Sequence, residues 1–157
     1  MPKGQADTPD LQKAKSFAFR LLKIRQRSER ELIDRLQRKK IPQETIDRTL
    51  QYLRNYQFVG DREFTKWWVR SRLNKPFGLK RIREELKDKG IAEELIRSEL
   101  SCIQPELDES QMIGHLLAKR LNRYRGLDPI KRKRRIFEFL CRRGFSLEAV
   151  EQAIKNL

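Results

Sequence analysis

The sequence predicts an all-α protein of three tandem three-helix (helix-turn-helix-like) repeats in a curved, elongated array. Two observations carry that prediction. The first is self-similarity. Leu32, Leu36, Ile41, Glu44, Ile46, Leu50 and Leu53 recur as Ile82, Leu86, Ile91, Glu94, Ile96, Leu100 and Ile103, then as Ile136, Leu140, Phe145, Glu148, Val150, Ile154 and Leu157. The offsets are 50 and 54 residues with no gap inside the block, and a fixed period marks a repeat architecture. The second is composition: 38% of residues are charged, with only 7 Gly and 6 Pro among 157. A unit of about 50 residues has a marginal core by itself, so neighbouring units are expected to pack on one another.

Residues 1–9 are polar and punctuated by Pro2, Gly4 and Pro9, which reads as a disordered tail. Repeat 1 spans 10–57. Leu11, Ala14, Phe17, Ala18, Leu21 and Leu22 recur at helical spacing. Ser28-Glu29-Arg30-Glu31 is a capping box for a second helix with Leu32, Ile33 and Leu36 inward. Pro42 suits the first turn of a third helix carrying Ile46, Leu50 and Leu53. Repeat 2 spans 58–105. Asp61 is placed to cap a helix bearing Phe64, Trp67, Trp68 and Val69, and Asn74-Lys75-Pro76-Phe77-Gly78 breaks it. The next helix stops at Gly90, which tolerates positive φ, and the third stops before Gln104-Pro105. Repeat 3 spans 106–157. It opens near Asp108 with Met112, Ile113, Leu116 and Leu117 inward. A loop with Gly126 and Pro129 precedes a helix carrying Ile136, Phe137 and Leu140. Gly144 repeats the Gly90 stop, and Ser146 caps the last helix.

Lys+Arg 37 against Asp+Glu 22 gives a net charge of +15, which biases association toward polyanions and acidic surfaces. The charge is unevenly divided. The three third-helix segments (43–53, 93–103, 147–157) hold seven acids against Arg48, Arg97 and Lys155, leaving the rest of the chain at +19. Two basic groups stand out: Arg70, Arg72, Lys75, Lys80, Arg81 and Arg83 around one loop, and the run from Lys119 to Arg135. That run holds Lys119, Arg120, Arg123, Arg125, Lys131, Arg132, Lys133, Arg134 and Arg135, with only Asp128 opposing. These fifteen are the candidate partner- or DNA-binding residues. Each repeat resembles a helix-turn-helix module, which would place its last helix in a major groove. Glu44, Glu93, Glu94 and Glu148 sit where that helix would meet the DNA, so sequence-specific operator binding is rejected.

Other functions find little support. No apolar run approaches the roughly 20 residues that span a bilayer, and the N-terminus lacks a signal-peptide core. Cys102 and Cys141 have no metal or redox spacing and suit a reducing cytoplasm. No phosphate-binding loop or H-E-x-x-H motif is present, and His115 is the single histidine. No cofactor, metal or catalytic residue is expected, and His115 reads as a residue covering core. Trp68 is the better core candidate, whereas Trp67 suits packing between repeats rather than base stacking.

Ser28-Glu29-Arg30-Glu31-Leu32, Phe58-Val59-Gly60-Asp61-Arg62-Glu63-Phe64, Arg70-Ser71-Arg72, Gly78-Leu79-Lys80-Arg81-Ile82-Arg83-Glu84-Glu85-Leu86, Lys89-Gly90-Ile91 and Phe139-Leu140-Cys141-Arg142-Arg143-Gly144-Phe145 together resemble the RecX regulators of the bacterial RecA recombinase. The resemblance covers nearly everything beyond the tail. Gly60 stands where that family often has an acid, and the Asn74-Lys75-Pro76 loop is longer than its usual turn. The resemblance implies a non-enzymatic modulator that binds RecA and lies in the groove of the RecA–DNA filament; a cytoplasmic monomer is expected. It would usually inhibit RecA in DNA repair, recombination and the SOS response. The rival from another class is a non-sequence-specific architectural protein that binds single- or double-stranded DNA without RecA.

Overall fold

The computed structural model describes residues 8–155, so the expected tail falls mostly on residues outside it. Thr8 caps the first helix by accepting from the Leu11 amide at 3.3 Å, and Pro9 is that helix's first residue. The helices are α1 (Pro9–Ile24), α2 (Glu29–Arg38), α3 (Gln43–Asn55), α4 (Asp61–Leu73), α5 (Leu79–Asp88), α6 (Glu93–Ile103), α7 (Glu109–Arg120), α8 (Pro129–Arg143) and α9 (Leu147–Lys155). Short 3₁₀ turns, Gln104–Glu106 and Leu121–Tyr124, follow α6 and α7. No strand occurs among the described residues.

The repeat register is a burial register. Leu32, Ile82 and Ile136 are buried, as are Leu36, Leu86 and Leu140, and Ile46, Ile96 and Val150. Each such side chain removed from water stabilises the fold by about 1.5–3 kcal/mol. The turn after each second helix repeats as well. Lys40, Gly90 and Gly144 all have positive φ. After α2 and α8 the backbone closes in a Schellman motif: the Ile41 amide donates to Leu36 O at 3.3 Å, and the Phe145 amide to Leu140 O at 3.4 Å.

The chain divides into two compact units. One holds the residues up to Trp67 plus Lys89–Ala92; the other holds Trp68–Asp88 and 93 onward. The division falls inside α4. Unit 1 packs Ala14, Ala18, Leu32, Leu36, Ile46, Leu50, Leu53 and Val59 together, with Phe17, Phe19 and Tyr52 against them. In unit 2 a core of Ile113, Leu117, Ile136, Phe139, Leu140, Phe145 and Val150 joins α7, α8 and α9.

Several expectations are corrected. Pro42 stands just before α3, at its cap, and not in its first turn. Asp61 is the first residue of α4 and its carboxylate serves another helix, accepting from the Glu29 amide at 3.0 Å at the start of α2. Pro129 begins α8, with Asp128 capping it. Phe137 is exposed while Phe139 is buried, because three and four residues beyond Ile136 lie on its face. His115 is exposed and covers no core. The capping box at Ser28, the Gly90 and Gly144 stops and the Ser146 cap are present as expected.

Candidate functional site

In unit 2 the loop 74–78 and the end of α8 meet backbone to backbone. The Gly78 amide donates to Arg143 O at 2.9 Å, and the Lys80 amide to Gly144 O at 3.2 Å. A Cβ on Gly78 would lie 2.1 Å from the Gly144 carbonyl oxygen; one on Gly144 would lie 2.3 Å from the Arg81 nitrogen. Only glycine allows either approach. Amides at the α5 N-terminus thus meet carbonyls at the α8 C-terminus, which pairs groups left free at each end and brings the positive end of one helix dipole to the negative end of the other.

This junction gathers guanidinium groups around aromatic rings. Arg81, Arg143 and Arg72 stand 4.2, 5.0 and 5.8 Å from the centre of Phe77. Arg72 also lies 4.2 Å over Trp68. Arg120 and Arg143 lie 4.0 and 5.2 Å from the centre of Phe139. Glu85 is the carboxylate that serves the group. It accepts from Arg72 Nε at 2.6 Å, Arg81 Nε at 3.0 Å and the Trp68 indole N–H at 3.1 Å. Arg143 donates instead to Pro76 O at 3.3 Å, and Arg120 to the Tyr124 hydroxyl at 3.2 Å. Burial, then repulsion from Arg81 and Arg120, pushes the Arg143 guanidinium below its usual range. Weakly hydrated guanidiniums with too few carboxylates form a setting that an incoming anion relieves.

The other predicted residues fall elsewhere. Arg70, Lys75 and Lys80 are exposed. Arg83 pairs with Glu93, and that hydrogen bond holds the Glu93 carboxyl below its usual range. Lys119 is exposed at the end of α7, Arg123 is exposed within the 3₁₀ turn that follows, and Arg125 is exposed just after it. The run Lys131–Arg135 does not form one stripe, since successive helical residues turn by about 100°. Lys131, Arg134 and Arg135 are exposed, Arg132 and Lys133 are half-buried, and Arg134 pairs with Glu138 at 3.0 Å. Trp67 is half-buried, its ring 5.9 Å from Phe64. Of the fifteen predicted residues the structure places Arg72, Arg81 and Arg120 in one cluster. Arg143, Phe77 and Phe139 complete it and were not among them. Repeat spacing carried the signal for Arg143, which aligns with Lys89 immediately before a glycine of positive φ.

The fold defines a class: a tandem three-helix repeat protein, with arginines gathered where helix ends meet. Comparison with known proteins makes the class specific. Models of the first, second and third RecX three-helix domains match residues 14–53, 61–100 and 108–154. Regulatory protein RecX of Chlorobium phaeobacteroides (strain BS1) is 35% identical over 153 residues, covering 97% of each chain. That of Streptomyces lividans is 31% identical over 159 residues, covering 98% of this chain and 84% of the relative. A crystal structure of regulatory protein RecX superposes with a TM-score of 0.81 at 28% identity, covering 94% of this chain and 74% of that one. This chain belongs to the RecX family, a family of regulatory proteins. No helix among the described residues is long and apolar enough to cross a membrane.

Proposed function

We propose that this protein is a non-enzymatic modulator of the RecA recombinase. In this reading it binds as a monomer in the groove of the RecA–DNA filament, lowers RecA activity, and so regulates recombination, repair and the SOS response. The ordered match of all three RecX domains along the chain carries the reading. The arginine cluster supports it, because half-buried guanidiniums facing one carboxylate suit DNA phosphates or acidic side chains of a filament. Binding across neighbouring protomers would hinder strand pairing.

The test is a titration of the single-strand-dependent ATPase of RecA. We expect ATP hydrolysis to fall at protein levels far below those that coat the DNA. Arg70→Ala, Lys75→Ala and Lys80→Ala together remove exposed charge without entering the packed cluster. They should weaken the effect by about tenfold at moderate salt, a modest share for each charge. Arg81 and Arg83 are poor probes of binding alone, because each also holds an internal carboxylate. Unchanged ATPase until the DNA is coated, with binding that falls steeply with salt, would instead identify an architectural DNA-binding protein.

A further inference from the structure

Unit 1 carries a surface that the charge pattern does not explain. Tyr56 and Phe58 are 62% and 50% exposed, although both flank a well-formed helix end. They are not loose. The Phe58 amide donates to Leu53 O at 2.8 Å and the Gln57 amide to Arg54 O at 2.9 Å, a Schellman closure with Gln57 at φ +57°. Behind them the rings form a continuous set. Phe58 meets Phe19 edge-on at 4.9 Å and lies nearly parallel to Tyr56 at 6.3 Å, while Tyr56 contacts Tyr52 at 4.7 Å. Phe19 and Tyr52 are anchored against the unit 1 core. Two rings therefore stand in solvent on a rigid aromatic base.

The surroundings indicate what such rings meet. On α1 the row Lys15, Phe19, Lys23 has spacing i, i+4, i+8, so this face presents two lysines, and the cleft beside Phe58 holds Arg27 and Arg54 against the single acid Glu63. The Lys15 ammonium sits 3.8 Å from the centre of the Tyr52 ring. Unit 1 as a whole has 17 Lys and Arg against 9 Asp and Glu. Flat π faces exposed at fixed positions within a positive field match a partner with a charged backbone and exposed planar bases. A duplex hides those faces; an unpaired strand offers them.

We propose that Tyr56 and Phe58, braced by Phe19 and Tyr52, form a stacking platform for unpaired bases of single-stranded nucleic acid. The platform does not rest on the recombinase assignment, and the test uses the full chain with DNA alone. Affinities for a labelled oligothymidylate and for a duplex of equal length are measured by anisotropy at two salt concentrations. Tyr56→Ala and Phe58→Leu, the latter keeping an apolar contact at the helix end, should each weaken single-strand binding by about tenfold, as loss of one stacked base does. Duplex affinity and the salt slope should remain unchanged, because no charge is removed. Tyr56→Trp should restore binding. Equal losses on both DNAs would overturn the proposal, as would no loss on either. Intact single-strand affinity with a lost effect on RecA ATPase would also overturn it, showing that the rings meet a protein instead.

Discussion

Ser28, Glu31, Arg35, Lys89 and Gly90 in unit 1 occupy the repeat positions of Gly78, Arg81, Glu85, Arg143 and Gly144 in unit 2. The backbone arrangement is shared: in each, a residue just before a glycine of positive φ offers its carbonyl to the start of a second helix. In unit 1 the Ser28 hydroxyl donates to Lys89 O at 2.8 Å; in unit 2 the Gly78 amide donates to Arg143 O at 2.9 Å. The charges differ. Glu31 accepts from Arg25 at 2.7 and 3.0 Å and from Lys89 at 3.0 Å, so one carboxylate bridges both cations of the unit 1 junction. Unit 2 has Arg81 where Glu31 stands, leaving Arg143 against a like charge. One architecture thus serves as an ion-pair lock in one place and as an arginine cluster around a single carboxylate in the other.

The largest expected effect breaks the unit 2 junction outright. Gly144→Ala drives a Cβ to 2.3 Å from the Arg81 backbone nitrogen at φ +80°. Neither backbone yields readily, so we expect destabilisation of about 3 kcal/mol or more in urea denaturation. Gly90→Ala at φ +75° brings its Cβ to 2.7 Å from Arg30 Cβ and 2.8 Å from Arg30 Cγ. Arg30 Cβ is fixed to the α2 backbone and no rotamer change moves it, so α2 itself must give. The neighbour there is side-chain carbon and not main chain, and the loss should be smaller, about 2 kcal/mol. Equal losses would mean that the unit 2 contact is no tighter than its unit 1 counterpart.

A smaller effect tests the lock. Burial pushes the Glu31 carboxyl up, but hydrogen bonds from Arg25 and Lys89 outweigh it and hold the group at about 2. Its unfolded value is near 4.5. A depressed folded value means the stabilisation is present in full above the unfolded value and is lost as pH falls toward 2. Its size is about 2 kcal/mol after allowing for partial exposure of the pair. Glu31→Gln should remove about that much at pH 7 and flatten the fall in stability between roughly pH 5 and pH 2. A variant that keeps the wild-type acid slope would show that Glu31 is not the group responsible.

Much of this contrast was legible in the sequence. The repeat spacing located Leu32, Ile82 and Ile136 as core and both glycine stops, because buried positions and helix ends obey local rules. The arginine cluster was only half legible. Sequence runs such as Lys131–Arg135 draw the eye, yet a helix scatters neighbours around its axis. Arg72, Arg120 and Arg143 lie far apart in the chain and meet only through Phe77 and Phe139. Asp61 misled for a related reason: it has a cap's chemistry, but tertiary packing turned its carboxylate to the Glu29 amide. Tyr56 and Phe58 fall at the boundary between repeats 1 and 2, where nothing local distinguishes an exposed ring from a buried one.

The smallest effect separates two demands that coincide at the glycines. Gly90 and Gly144 need both a positive φ and room for a neighbour, whereas Lys40, at the same repeat position, has φ +58° and is exposed. Lys40 therefore bears the conformational strain of an L-residue there, about 1 kcal/mol, without any close approach. Lys40→Gly relieves that strain but widens the unfolded ensemble, which takes back about half. The expected net gain is about 0.5 kcal/mol, read as a higher urea midpoint at unchanged slope. Lys40→Ala removes the charge and keeps the Cβ, so it should give no gain. If alanine stabilises as much as glycine, charge relief is the cause and the backbone term is negligible. The loss in Gly144→Ala would then belong wholly to the contact with Arg81, sharpening the difference between the two junctions.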